Sequence, residues 1–124
     1  MKNIRKYWEN KRKCLSEQAD AIKDSQSVAF GLLEEYDNLH YNERVAINDI
    51  LAEWLLSDDE TLRYDACFLI SQRCIVSLVN EIKKAILCSQ KRSEPGQKYE
   101  IKKLKRILNE LNESIAKGRN GVTH

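Results

Sequence analysis

The chain has 124 residues, 4 glycines and 1 proline, with 42% hydrophobic and 32% charged side chains and a formal net charge of +2. That length suits one domain, and the scarcity of turn formers excludes a sheet protein, which needs a turn signal roughly every 8–12 residues. No stretch approaches the roughly 20 consecutive apolar residues of a membrane span, and the start, Met1 to Glu9, lacks the apolar run of a secretory leader, so a cytoplasmic protein is expected.

Hydrophobic spacing predicts six helices in antiparallel hairpins, an all-α fold. From about Lys2 to Ile22, one stripe carries Ile4, Trp8, Leu15, Ala19 and Ile22, with Tyr7 and Cys14 beside it. Asp24-Ser25 reads as a stop and a new N-cap. A second helix runs to about Tyr36 through Val28, Ala29, Leu32 and Leu33. Gly31 inside it costs about 1 kcal/mol relative to Ala or marks a close helix approach.

The segment from Asp37 to Tyr41 reads as a loop, with Asn42 as cap of a third helix reaching about Leu56 and burying Ile47, Ile50, Leu51, Trp54 and Leu55. Ser57 to Glu60 interrupts the pattern, and its three acids suit the positive end of a following helix dipole. The fourth helix, about Asp59 to Arg73, buries Leu62, Ala66, Leu69 and Ile70. Ser77 is the expected cap of a fifth, with Leu78, Val79, Ile82, Ala85 and Ile86.

Glu94-Pro95-Gly96 is the clearest break. Beyond it Ile101, Leu104, Leu108, Leu111 and Ile115 step by three and four, which reads as a last helix packed on the body or as the seam of a homodimer. Gly118 is the expected stop. Residues 1–117 then form a single helical domain and 118–124 a flexible tail.

Within this pattern, Ser57 to Ile70 resembles the first helix of a HEAT-type repeat. Asp58 or Asp59 leads, Leu62-Arg63 follow, Ala66 keeps its spacing, and Leu69-Ile70 close the face. Ile75 to Leu78 resembles the turn into that repeat's second helix, and Asn42 to Leu56 the second helix of a preceding repeat. The resemblance spans about 50 residues and departs from the pattern twice: the frequent proline is missing, and no second copy recurs at a fixed period. It implies right-handed HEAT-like stacking over the central part. Small proteins of this arrangement are similar to immunity proteins of bacterial polymorphic-toxin systems, which implies a folded toxin domain as partner.

Charge is divided by position: +3 over residues 1–30, −8 over 31–81 and +7 over 82–124. The plainest reading is that basic end helices balance an acidic middle. A functional reading takes Glu34, Glu35, Asp37, Glu53, Asp58, Asp59 and Glu60 as the site that steers a basic protein partner. Glu43 and Asp49 lie in the same acidic stretch. A second functional reading places nucleic acid on Lys2, Arg5, Lys6, Lys11, Arg12 and Lys13 with Tyr7 and Trp8, or on Lys98, Lys102, Lys103, Lys105 and Arg106 with Tyr99. Against it, Tyr7-Trp8 lie on the apolar stripe and Glu9, Glu100 and Glu110 interrupt the basic runs. Trp54 and Tyr64 are aromatic candidates for an interface, with Trp54 better placed in the core.

No catalytic or metal centre is expected, and no cofactor. The glycines are scattered, the serines lack an elbow motif, and His40 has no helical Glu-x-x-His partner, so it reads as a surface or capping residue. Cys14, Cys67, Cys74 and Cys88 form no Cys-x-x-Cys pair and read as small hydrophobes, in preference to a zinc set of Cys67, Cys74 and Cys88 with His40.

Overall fold

A computed structural model describes residues 3–22 and 26–120, apart from the side chains of Ile22, Arg119 and Asn120. Among the described residues there are six α-helices, one 3-10 turn and no strand. The helices are α1 (Ile4–Ile22), α2 (Gln26–Asn38), α3 (Tyr41–Leu55), α4 (Glu60–Arg73), α5 (Val79–Gln90) and α6 (Gln97–Asn120). The chain parts into two compact units, Met1–Leu51 and Ala52–His124, with the boundary inside α3.

In the first unit α1 and α2 form an antiparallel hairpin, because position 7 meets position 35 and position 15 meets position 31. Asn3 caps α1, its Oδ1 accepting the Lys6 N–H at 3.1 Å. Trp8 and Leu32 are wholly buried, as are Ile47 and Leu51 on α3. Gly31 is where the hairpin closes: a Cβ there would stand 2.5 Å from Leu15 Cδ2 and 3.2 Å from Leu15 Cγ. The helix-breaking tendency of this glycine is the cost of that approach.

The start of α3 differs from expectation. Glu43 Oε1 accepts the His40 N–H at 3.1 Å, so His40, not Asn42, occupies the cap position and the helix begins at Tyr41. This is half of a capping box, in which the acid three residues on satisfies the cap's own N–H. Arg44 reaches back, its Nε donating to the Leu39 carbonyl at 3.0 Å and its Nη2 to the Asp37 carbonyl at 3.3 Å, which satisfies carbonyls at and just past the end of α2. Tyr36 donates to Asn48 Oδ1 at 2.9 Å, which joins α2 to α3.

In the second unit α6 packs against both α5 and α4. Ala66, Leu69 and Ile70 on α4, Ile82 and Ala85 on α5, and Leu104, Ile107 and Leu111 on α6 are buried. The heptad members Ile101, Leu108 and Ile115 are only half-buried, because a straight helix turns every 3.6 residues and Ile107 takes their place in the inward stripe. Asp59, with φ −80° and ψ 110°, caps α4 by accepting the Thr61 N–H at 2.9 Å, and Ser57 Oγ instead accepts the Asp59 N–H at 3.0 Å. Helix α4 ends at Cys74, which is left-handed with φ 48°, while the Ile75 N–H returns to the Ile70 carbonyl at 3.1 Å.

Ser77 does not cap α5. Val76–Leu78 winds as a 3-10 turn, and Leu78 precedes the helix with no side-chain cap bond. Pro95-Gly96 does form the expected turn: Gly96 has φ 83° and the Gln97 N–H donates to the Glu94 carbonyl at 3.2 Å, the pattern of a type II turn. Helix α6 runs through Gly118, which keeps a negative φ, to Asn120. Asp24-Ser25 and residues 121–124, expected as a cap and part of a tail, lie outside the described residues.

Replacing Gly31 by Val is expected to destabilise the protein by about 1–3 kcal/mol, because the added methyls press on Leu15 and overpacking outweighs any gain in helix rigidity. Urea denaturation followed by circular dichroism checks this; an unchanged midpoint contradicts the close approach.

Candidate functional site

The second unit is organised around a buried guanidinium. Arg63 projects from the first turn of α4, and its side chain is 3% exposed. Its Nε donates to Glu100 Oε1 at 2.8 Å and its Nη2 to Glu100 Oε2 at 3.3 Å, a forked pairing across α4 and α6. Nη2 also donates to Glu94 Oε2 at 2.9 Å, and Nη1 to the Ser57 carbonyl at 2.9 Å. Burial works against the charge, but the carboxylates of Glu100 and Glu94 outweigh it and leave the pKa of Arg63 above its usual value.

Arg92 extends the network. Its Nη2 donates to the same Ser57 carbonyl at 3.1 Å and lies 3.8 Å from Asp58 Oδ1, while its Nε lies 3.6 Å from Glu94 Oε1. Ser89 Oγ donates to Glu100 Oε1 at 3.3 Å, and Gln97 Nε2 donates to the Ser89 carbonyl at 2.7 Å. The corner between α3 and α4 is thereby tied to the α5–α6 turn.

The seven acidic residues expected at a partner site fall into distinct settings. Asp58, Asp59 and Glu60 share the corner held by Arg63 and Arg92. The Asp58 side chain is fully exposed and Glu60 is exposed, while Asp59 is the cap of α4 and also accepts the Thr61 hydroxyl at 2.6 Å. Glu53 is exposed near the end of α3. In the first unit, Glu34 and Asp37 are exposed on α2, whereas Glu35 is half-buried and accepts the Tyr7 hydroxyl at 2.8 Å. That hydrogen bond, with burial adding to it, raises the pKa of Tyr7. Glu34 and Glu35 also line a depression of about 140 Å³ with Lys11 and Gly31.

Reading the sequence did not anticipate the groove between α4 and α6. Two depressions of about 180 and 200 Å³ share Tyr64, Cys67, Tyr99 and Lys103. Tyr64 is 40% exposed and Tyr99 73%. Lys103 Nζ sits 4.9 Å from the centre of the Tyr64 ring, and Phe68 stacks on Tyr64 with centroids 6.4 Å apart. Tyr64, Tyr99 and Lys103 are each candidates in the sequence, but that α4 and α6 bring them into one groove has no local signal there.

Cys67 forms part of the floor of this groove. Burial pushes its thiol up to about 11, with Lys103 acting in the opposite direction, so it is neutral near pH 7 and a poor nucleophile. Cys14, Cys67, Cys74 and Cys88 are all free thiols. Among the described residues no group of three or more His, Cys, Asp or Glu side chains is placed to hold a metal ion, and no helix is long and apolar enough to cross a membrane. Comparison of the chain with family models, with curated proteins and with solved structures gives no match.

Two measurements test this geometry. Arg63→Ala leaves Glu100 partly buried beside an emptied site and is expected to cost roughly 3–5 kcal/mol in urea denaturation. A loss no larger than that of a surface arginine would contradict the network. The Cys67 thiol binds its proton more tightly when folded than the ordinary value of 9.0 allows when unfolded, so its contribution to stability is complete below pH 9.0 and is lost towards about 11. Cys67→Ala is expected to flatten the alkaline fall of the melting temperature over that range, and an identical fall in both proteins would contradict it.

Proposed function

We propose that the chain is a protein-binding module, an inhibitor of the immunity type that engages a basic toxin domain through exposed acidic side chains. The observation that carries this reading is the corner at Asp58–Glu60. Two guanidinium groups, those of Arg63 and Arg92, hold the Ser57 carbonyl at 2.9 and 3.1 Å, while the exposed Asp58 side chain lies 3.8 Å from Arg92 and stays open to a partner. Charges presented on a braced corner need little ordering when a partner arrives. They also steer a partner of opposite sign during encounter.

Asp58 and Glu60 carry the interaction in this reading. Within the second unit Glu53 adds exposed acid, and Asp59, which accepts internal hydrogen bonds, contributes through field rather than contact. Glu34 and Asp37 are exposed acids of the first unit, where Glu35 accepts the Tyr7 hydroxyl. The HEAT-like resemblance over Ser57 to Ile70 supports the same class, since helical hairpins of that type offer rigid surfaces to proteins.

The test is a double charge reversal, Asp58→Lys with Glu60→Lys, which spares the cap residue Asp59. A basic partner is first sought by co-purification with the chain from its native host, and affinity for it is then read by titration calorimetry. The double variant is expected to bind at least about tenfold more weakly at low salt, with the gap narrowing as salt shortens the range of the field. Helical circular dichroism stays unchanged. Equal affinities of variant and parent at low salt would overturn the reading.

A further inference from the structure

We propose that the outer face of α6, with the groove beside α4, binds single-stranded nucleic acid. This goes beyond the acidic corner and does not depend on it. Lys98, Lys102, Lys105 and Arg106 are exposed on the first half of α6, and Lys103 is half-buried at the groove. Helical spacing places positions 98, 102, 105 and 106 on one side of the helix. Five cations thus stand on about three turns of α6.

Glu100 is the one acidic residue between positions 95 and 109, and in the sequence it breaks up this basic run. In the structure it does not. Its carboxylate faces inward and takes both the Nε and the Nη2 of Arg63, at 2.8 and 3.3 Å. The outer face of this half of α6 is therefore of one sign. Glu110, a turn later, lies 3.5 Å from Arg106 between exposed side chains, an ion pair that a phosphate can replace.

The second element is flat and aromatic. Tyr99, 73% exposed, lies among these cations, and the neighbouring Tyr64, 40% exposed, has Lys103 over its ring and Phe68 stacked on it. A basic face alone fits any polyanion, and an acidic peptide has no use for stacking surfaces. A duplex keeps its bases stacked on one another. A single strand supplies both phosphates for the cations and a free base face for Tyr99, the combination that unspecific single-strand binders use. From Lys98 to Arg106 the helix rises about 12 Å, which is the length of about three stacked nucleotides.

The experiment is fluorescence anisotropy of the full chain with a labelled oligothymidylate, the matching oligouridylate, a duplex of the same length, and polyglutamate as an acidic competitor. The single strands are expected to bind at about 50 mM salt, with log K falling against log salt at a slope of about −2 to −3 for three or four phosphates. Tyr99→Ala is expected to weaken binding about tenfold without changing that slope. Lys102→Gln with Arg106→Gln is expected to reduce the slope itself. These side chains are exposed, and unchanged circular dichroism confirms that the variants fold. Absence of single-strand binding, polyglutamate competing as well as oligothymidylate, or a silent Tyr99→Ala would each overturn the proposal. No protein partner is present in any arm, so failure here leaves the acidic corner's role standing, and failure there leaves this face's role standing.

Discussion

A guanidinium withdrawn from water must be surrounded by acceptors, and Arg63 imposes that demand on the whole second unit. Its donors reach α6 through Glu100, the α5–α6 turn through Glu94, and the corner before α4 through the Ser57 carbonyl. A buried ion pair is a poor source of net stability, since the cost of desolvating both groups offsets most of their attraction. Its effect is on geometry. A half-turn slip of α6 along α4 would part Glu100 from Arg63 and leave both charges stranded, so the pair selects one register among several that apolar packing alone tolerates.

That register divides the surface by sign. Turning Glu100 inward removes the acid from the outer side of α6, where Lys98, Lys102, Lys105 and Arg106 are exposed. Burying Arg63 against Ser57 takes its charge off the corner, where Glu60 and Asp58 are exposed, Asp58 lying 3.8 Å from Arg92. Oppositely charged faces on one small unit are thus the outcome of a few interior pairings. The near-neutral net charge of +2 conceals them.

The helices were legible because local rules and tertiary packing agree over most of the chain. Periodicity marked α3, where Ile47, Ile50, Leu51, Trp54 and Leu55 are all buried, and Pro95-Gly96 marked a turn whose φ of 83° requires glycine. Helix ends were harder. Ser77 has the chemistry of a cap, yet the 3-10 winding of Val76–Leu78 moves the start of α5 past it. Cys74 takes a left-handed conformation with no glycine to announce it. Of the candidate site, the exposed acids at 58 and 60 were visible as composition, but their bracing was not. Arg63 and Glu100 are 37 residues apart, and no local pattern links them. The exposure of Tyr99 is likewise a property of how α6 rolls against α4.

The Ser57 carbonyl has a consequence of its own. Two arginines grip a main-chain oxygen, at 2.9 and 3.1 Å, and every amino acid supplies that atom equally well. With the Asp59 cap and the Ser57 hydroxyl in place, the frame therefore does not depend on the side chains at positions 58 and 60. Positions 58 and 60 are free to drift in size and sign while the loop beneath keeps its path, much as interchangeable bits fit one handle. Single substitutions at these two positions can therefore change the charge of the corner without rebuilding the scaffold.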